Sequence, residues 1–69
     1  MTTRSLVKEL VVSYMNTKHI KYCPIKQIVH DFKPHLQGVD VYRNIYHIGL
    51  HDEGFSIEKD EDTTYIHIL

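Results

Sequence analysis

The chain has 69 residues, of which 42% are hydrophobic and 25% charged, and its formal net charge is −1. This length allows one domain with a small core, and the composition is that of an ordinary globular protein. No apolar run reaches about 18 residues, so we expect neither a membrane span nor a membrane partner. The single cysteine, Cys23, excludes an internal disulfide framework. With no signal-peptide pattern at the start, we expect a cytoplasmic or nucleoid-associated protein.

The charge is distributed unevenly along the chain. Residues 1–47 carry seven Lys or Arg and three acidic residues, whereas residues 48–69 carry one lysine and six acidic residues. A basic helical part beside an acidic end permits a polyanionic partner on one face only. Such asymmetry also arises by chance in small domains, so this pattern alone leaves the partner open.

A first helix is predicted after Thr2–Ser5, whose hydroxyls can cap its free N–H groups. Lys18 and His19 end it, since cations suit a helix C-terminus. Apolar residues at helical spacing form one broad stripe: Leu6, Val7, Leu10, Val11, Tyr14 and Met15. The stripe is wide enough for both a core and a homodimer interface, with a core role alone as the competing interpretation. We assign to the interface Leu6, Leu10, Val11 and Tyr14.

A second helix is predicted over about Pro24–Lys33, after a short extended link at Ile20–Tyr22 that can add an edge strand. Proline suits the first helical position, and Pro34 disfavours helix at the residue before it. The residues expected to point inward are Ile25, Ile28, Val29 and Phe32.

A third helix is predicted over about Val41–Asp52, with Asp40 as its N-cap. Val41, Ile45 and Ile48 form its buried stripe. Gly49 stands inside this helix at some cost in stability, and marks either a close approach of the hairpin or an early end to the helix.

The last 15 residues predict a β-hairpin. Phe55–Lys59 forms one strand, Asp60–Asp62 an acidic turn, and Thr63–Leu69 an alternating second strand. A lone hairpin is marginally stable in water, so we expect the helices to cover one of its faces.

The resulting order is helix, link, helix, turn, helix and hairpin, and it resembles the winged helix-turn-helix superfamily. The likeness is closest over VYRNIYHIGLHDEGFSIEKDEDTTYIHIL, Val41–Leu69. It is similar there to the recognition helix and wing of small bacterial, archaeal or viral regulators. The resemblance implies an α+β fold of three helices followed by a two-stranded C-terminal hairpin. It also implies a plasmid-borne or viral regulator of transcription that binds double-stranded DNA as a homodimer. The acidic turn departs from the Arg or Lys that such wings often carry.

A third helix in the major groove would present its exposed residues to base edges. Arg43 suits guanine, Asn44 suits adenine, and His47 can reach a base or the backbone. Basic residues before and on the second helix would hold phosphates and make the affinity fall with salt. These predicted phosphate contacts are Lys18, Lys21, Lys26, His30 and Lys33. The alternative is that all of these are solvated polar faces.

Two other functions compete with DNA binding. An acidic patch of Glu58, Asp60, Glu61 and Asp62, with five tyrosines, would suit a protein partner. His47 and His51, four residues apart, could bind a metal, but we predict no metal or cofactor because three or four convergent ligands are usual for zinc. No nucleophile, phosphate-loop or paired-acid motif appears, so we predict no enzymatic activity.

Overall fold

Three helices and three strands follow one another in the computed structural model, which describes residues 2–69. In chain order they are α1 (Thr3–Thr17), β1 (Tyr22–Pro24), α2 (Ile25–Phe32), α3 (Val41–His51), β2 (Phe55–Asp60) and β3 (Thr63–Ile68). The predicted α+β class and the three helices are confirmed. Helix boundaries differ from the prediction by one to three residues. Helix α2 begins one residue later than predicted because Pro24 belongs to a strand and serves as its N-cap.

The sheet has three antiparallel strands in the order β1-β3-β2, where the sequence predicted a two-stranded hairpin. The additional strand lies two residues later than the predicted link, with Tyr22 opposite His67 and Cys23 opposite Ile66. Cys23 is buried, and its inward side chain holds this short segment against the core. Pro24 is compatible with the strand because edge strands tolerate a missing N–H.

Side-chain and backbone caps fix the helix ends. Thr2 Oγ1 accepts a hydrogen bond from Ser5 N at 3.1 Å, and Asp40 Oδ1 accepts one from Arg43 N at 3.0 Å, so both predicted N-caps are confirmed. At the end of α1, His19 has a φ of 56°. The N–H groups of His19 and Ile20 bond the carbonyls of Asn16 and Met15, which is a Schellman ending with histidine at the position glycine usually takes.

The core lies between the three helices and the inner face of the sheet. Its fully or almost fully buried residues are Val7, Val11, Met15, Cys23, Ile25, Ile28, Val41, Ile45, Ile48 and Ile66. The line of α1 that faces the core is therefore Val7–Val11–Met15, while Leu6 is 39% exposed. Val11 was assigned to a dimer interface, and this assignment is wrong because its side chain is fully buried within the monomer.

Gly49 lies where the hairpin crosses α3. A Cβ atom built at this position would overlap the Ile57 side chain, lying 2.6 Å from its Cγ1. The first of the two interpretations of Gly49, a close approach of the hairpin, is confirmed. The helix continues through it to His51.

Candidate nucleic-acid interface

The outward face of α3 is set by its buried stripe. Because Val41, Ile45 and Ile48 point into the core, Arg43 is exposed and His47 is partly exposed on the opposite side. A surface groove of about 210 Å³ runs along this side between α3 and the start of α1. It is lined by Arg4, Arg43, Asn44 and His47. The three predicted base-contact residues therefore share one groove.

The first turn of α3 holds Asn44 in a particular orientation. Its Nδ2 donates a hydrogen bond to the Asp40 carbonyl oxygen at 2.8 Å. The amide is thus directed back along its own helix, and it must rotate before it can pair with an adenine edge. Arg43 has its backbone N–H fixed by Asp40 while its side chain is exposed. Arg43 is the better placed of the two for base contact.

A second groove, of about 280 Å³, separates α3 from the hairpin. Its walls are Tyr42, Arg43, Tyr46, His47, Lys59 and Thr64. The rings of Tyr42 and Tyr46 stack with centroids 6.4 Å apart, and Lys59 Nζ lies 5.6 Å from the centroid of Tyr46. The one lysine of the acidic hairpin is thus turned toward α3.

Arg4 and Lys59 are site residues that the sequence prediction missed. Lys59 stands in an acidic run, but it lies two residues after the inward-facing Ile57, so strand alternation places both side chains on the same face. Arg4 precedes the apolar stripe of α1, and no local pattern links it to residues 43–47. Its position follows only from how α1 packs against α3.

An ion-pair cluster ties the start of α1 to the end of α3. Arg4 Nη2 lies 2.5 Å from Asp52 Oδ1, and Lys8 Nζ lies 3.3 Å from Asp52 Oδ2. The hydrogen bond from Arg4 is the main reason that the pKa of Asp52 lies below its ordinary value, with Lys8 acting in the same direction. Asp52 therefore keeps Arg4 beside the groove and offsets part of its charge.

The predicted phosphate contacts are dispersed. His30 and Lys33 line an open groove at the turn between α2 and α3, together with residues 34 and 36–39. Lys18 lies over the ring of Tyr14, 5.0 Å from its centroid. Lys21 and Lys26 are exposed but line neither groove beside α3. None of the five residues shares a groove with Arg43.

Part of the predicted dimer surface is occupied within the monomer. The Tyr14 hydroxyl donates a hydrogen bond to Asp31 Oδ2 at 2.6 Å, and its ring meets Phe32 edge-on at 5.5 Å. Burial, followed by the bond to Asp31, raises the pKa of Tyr14. Tyr14 therefore joins α1 to α2. Leu6 is exposed and Leu10 half-buried, so these two remain available on this side of α1.

The hairpin acids and Cys23 line neither of the two grooves beside α3. Glu58, Asp60, Glu61 and Asp62 are all exposed. Burial raises the pKa of the Cys23 thiol, against an opposing effect of Lys18. The rings of His47 and His51 lie 5.7 Å apart, but no group of three or more His, Cys, Asp or Glu within residues 2–69 could hold a metal ion.

Within residues 2–69, none of the helices has the length and apolar character needed to cross a membrane.

Comparison with known protein families, curated proteins and solved structures finds no match for this chain.

The geometry of α3 defines what this surface can bind. The exposed face of α3 is flanked by cations from α1 and β2. A surface of this shape and charge suits a large polyanion better than it suits a small molecule. The groups along the two grooves include the hydrogen-bond donors of Arg4, Arg43 and Lys59 and the rings of Tyr42 and Tyr46. Donors of this kind suit phosphate oxygens and the acceptor-rich edges of bases.

Proposed function

We propose that this chain is a double-stranded DNA-binding protein of the winged helix-turn-helix type, in which α3 enters the major groove. The element order supports this proposal, since α2 and α3, joined by residues 33–40, are followed by a hairpin that packs on α3. The role that we propose for this DNA reader is regulation of transcription.

One observation carries the proposal: cations from three different elements flank the exposed face of α3. Arg43 lies on the helix itself, Arg4 reaches it from α1, and Lys59 reaches it from β2. An α-helix fits the major groove of B-DNA, which is about 12 Å wide. In that position Arg43 pairs with guanine O6 and N7, and His47 lies one turn further along the same face. Arg4 and Lys59 then contact phosphates on the two sides of the groove.

The acidic hairpin is compatible with this arrangement because its charges are sorted by face. Lys59 shares the inner side of β2 with Ile57, which packs on α3. Glu58 and Asp60 alternate with Lys59 and point to the other side of the sheet. A strand with two acids and one lysine thus presents its cation toward the proposed DNA and both carboxylates away from it.

Leu6 and Leu10 on α1 form the proposed homodimer contact, now without Val11. Leu6 is exposed and Leu10 half-buried, neither belongs to the buried core, and adjacent apolar groups that remain accessible favour association. A two-fold dimer would read two half-sites about one helical turn of DNA apart.

The proposal is tested by two substitutions in one groove. Arg43→Ala should cost about 1–3 kcal/mol of binding and relax the preference at one base pair, whereas Lys59→Ala should weaken all sequences alike and reduce the salt slope by about one. Fluorescence anisotropy with a selected site and with scrambled duplexes separates the two effects. Arg43→Ala binding the selected site as tightly as the unaltered chain would exclude α3 as the reading helix.

A further inference from the structure

The outer face of the sheet, which is the face turned away from α3, carries a cluster of aromatic rings. Tyr22 of β1 stacks on His67 of β3, with centroids 5.3 Å apart and planes at 16°. Tyr22 also meets Tyr65 at 5.7 Å with planes at 58°. These three rings come from two neighbouring strands whose register places Tyr22 opposite His67 and Pro24 opposite Tyr65.

This cluster does not belong to the core. On the inner face of the same strands Cys23 and Ile66 are buried, whereas Tyr22 is 56% exposed and Tyr65 and His67 are partly exposed. Contiguous exposed apolar surface on a small protein marks an interaction site more often than isolated exposed residues do. The rings are also held on paired strands, so a ligand would not have to order them on binding.

Carboxylates border the rings on one side. Glu58 lies opposite Tyr65 in the register, and its Oε2 is 2.5 Å from His67 Nε2, while its side chain is 61% exposed. Asp60 follows on the same face by strand alternation. On the described strands no Lys or Arg shares this face, because Lys59 belongs to the inner one. The outer face therefore combines aromatic rings with negative charge.

We propose that this outer face binds an arginine-rich segment of a partner protein. A guanidinium group can stack on an aromatic ring and, through the edge of its plane, pair with a carboxylate. An aromatic ring and a carboxylate lie side by side on this face. Lysine lacks the planar group, so it would engage the same face less well. The negative charge of Glu58 and Asp60 makes this face unfavourable for a nucleic acid. The proposal goes beyond DNA binding and does not depend on it, because the outer face and α3 lie on opposite sides of the sheet.

The test is an NMR titration of the ¹⁵N-labelled chain with a short oligoarginine peptide, with oligolysine of the same length in parallel. Oligoarginine should shift the amides of Tyr22, Tyr65 and His67 and should bind more tightly than oligolysine. Tyr22→Ala should weaken binding about two- to fivefold, which is the range of an exposed cation–π contact. Tyr22→Phe keeps the ring and should retain the affinity.

Glu58→Gln should weaken binding up to about fivefold, the range of an exposed ion pair. The matched control is Glu9→Gln, which removes an exposed carboxylate of α1 and should leave the affinity unchanged. Three outcomes would overturn the proposal: shifts confined to Glu61 and Asp62, equal binding of both peptides with no effect of Tyr22→Ala, or concentration-dependent shifts of the outer-face amides without peptide. The last outcome would assign the face to a second copy of the chain.

Discussion

At the scale of single residues, Gly49 sets how closely α3 approaches the hairpin. Ala is the better helix former by about 1 kcal/mol, but its methyl group would overlap Ile57. Overpacking of this kind costs about 1–3 kcal/mol. We therefore expect Gly49→Ala to lower the free energy of unfolding by up to about 2 kcal/mol, measured by urea denaturation.

The sign of this effect should depend on Ile57. In an Ile57→Ala background the obstructing atoms are absent, so Gly49→Ala should raise the free energy of unfolding through helix propensity alone. Such a reversal in a double-mutant cycle would identify the contact as the reason for glycine. Stabilisation by Gly49→Ala in both backgrounds would contradict the account of the close approach.

Glu61 is held in a backbone conformation that disfavours it. It is one of the two residues joining β2 to β3, and its φ is 54°. The left-handed region costs a residue with a Cβ atom roughly 1–2 kcal/mol, and glycine avoids this cost. We expect Glu61→Gly to raise the free energy of unfolding by about 1 kcal/mol, after the greater freedom of glycine in the unfolded chain is subtracted.

A matched variant separates backbone strain from charge at this turn. Glu61→Gln removes the negative charge beside Asp60 and Asp62 but keeps the Cβ atom. If it stabilises the hairpin as much as Glu61→Gly does, repulsion among the three acids, and not the positive φ, is the cause. Thermal unfolding of the two variants decides between them.

At the scale of elements, α1 and α3 are joined by Asp52 with Arg4 and Lys8. The folded state lowers the pKa of Asp52, chiefly through the hydrogen bond from Arg4. A carboxyl group with a lowered folded-state pKa stabilises the protein above its unfolded value, here 3.8, and this contribution is lost as the pH falls through the lower folded value. Asp52→Asn should therefore destabilise the chain at neutral pH and have little effect in strong acid.

Urea denaturation at neutral pH and at about pH 2 measures this dependence. Glu53→Gln alters the exposed neighbouring carboxylate and serves as the control. Equal destabilisation by Asp52→Asn at both pH values would mean that packing, not the charge of Asp52, holds the two helices together.

The elements also differ in how far the sequence predicts them. Local signals sufficed for the caps at Thr2 and Asp40 and for the buried stripe of α3, because each depends on residues within a turn or two. Strand β1 was misplaced by two residues because three residues carry too little alternation to fix a position. Its pairing with β3 is a contact across more than forty residues.

At the scale of the whole molecule, tertiary packing determines which face of α1 is buried and which distant residues come together. The sequence pattern specifies neither. The apolar stripe of α1 was too broad to show which residues face the core, and packing against the neighbouring elements buries Val7, Val11 and Met15 while Leu6 stays exposed. The same packing brought Arg4 beside Arg43, which no local spacing could predict. His30 and Lys33 line a separate groove at the turn between α2 and α3, and Lys26 lines neither groove beside α3.

In the folded chain, the acidic and basic residues are distributed over different faces of the molecule. The six acids after residue 47 do not form one uniform surface: Asp52 is paired with α1, and Glu58 and Asp60 lie on the outer sheet face. Lys59 and the cations of α1 and α3 share the other side. The molecule thus has a cationic face around α3 and an aromatic, anionic face behind the sheet.

The central claim, that the face around α3 binds duplex DNA, is tested most directly by measuring the affinity for a mixed-sequence duplex over a range of salt concentrations. With Arg4, Arg43 and Lys59 on phosphates or bases, the logarithm of the association constant should fall linearly with the logarithm of salt, with a slope of about −2 to −3. Arg4→Ala should make this slope shallower by at most about one, since Asp52 offsets part of the Arg4 charge. No binding at low salt, or binding that salt does not weaken, would contradict the claim.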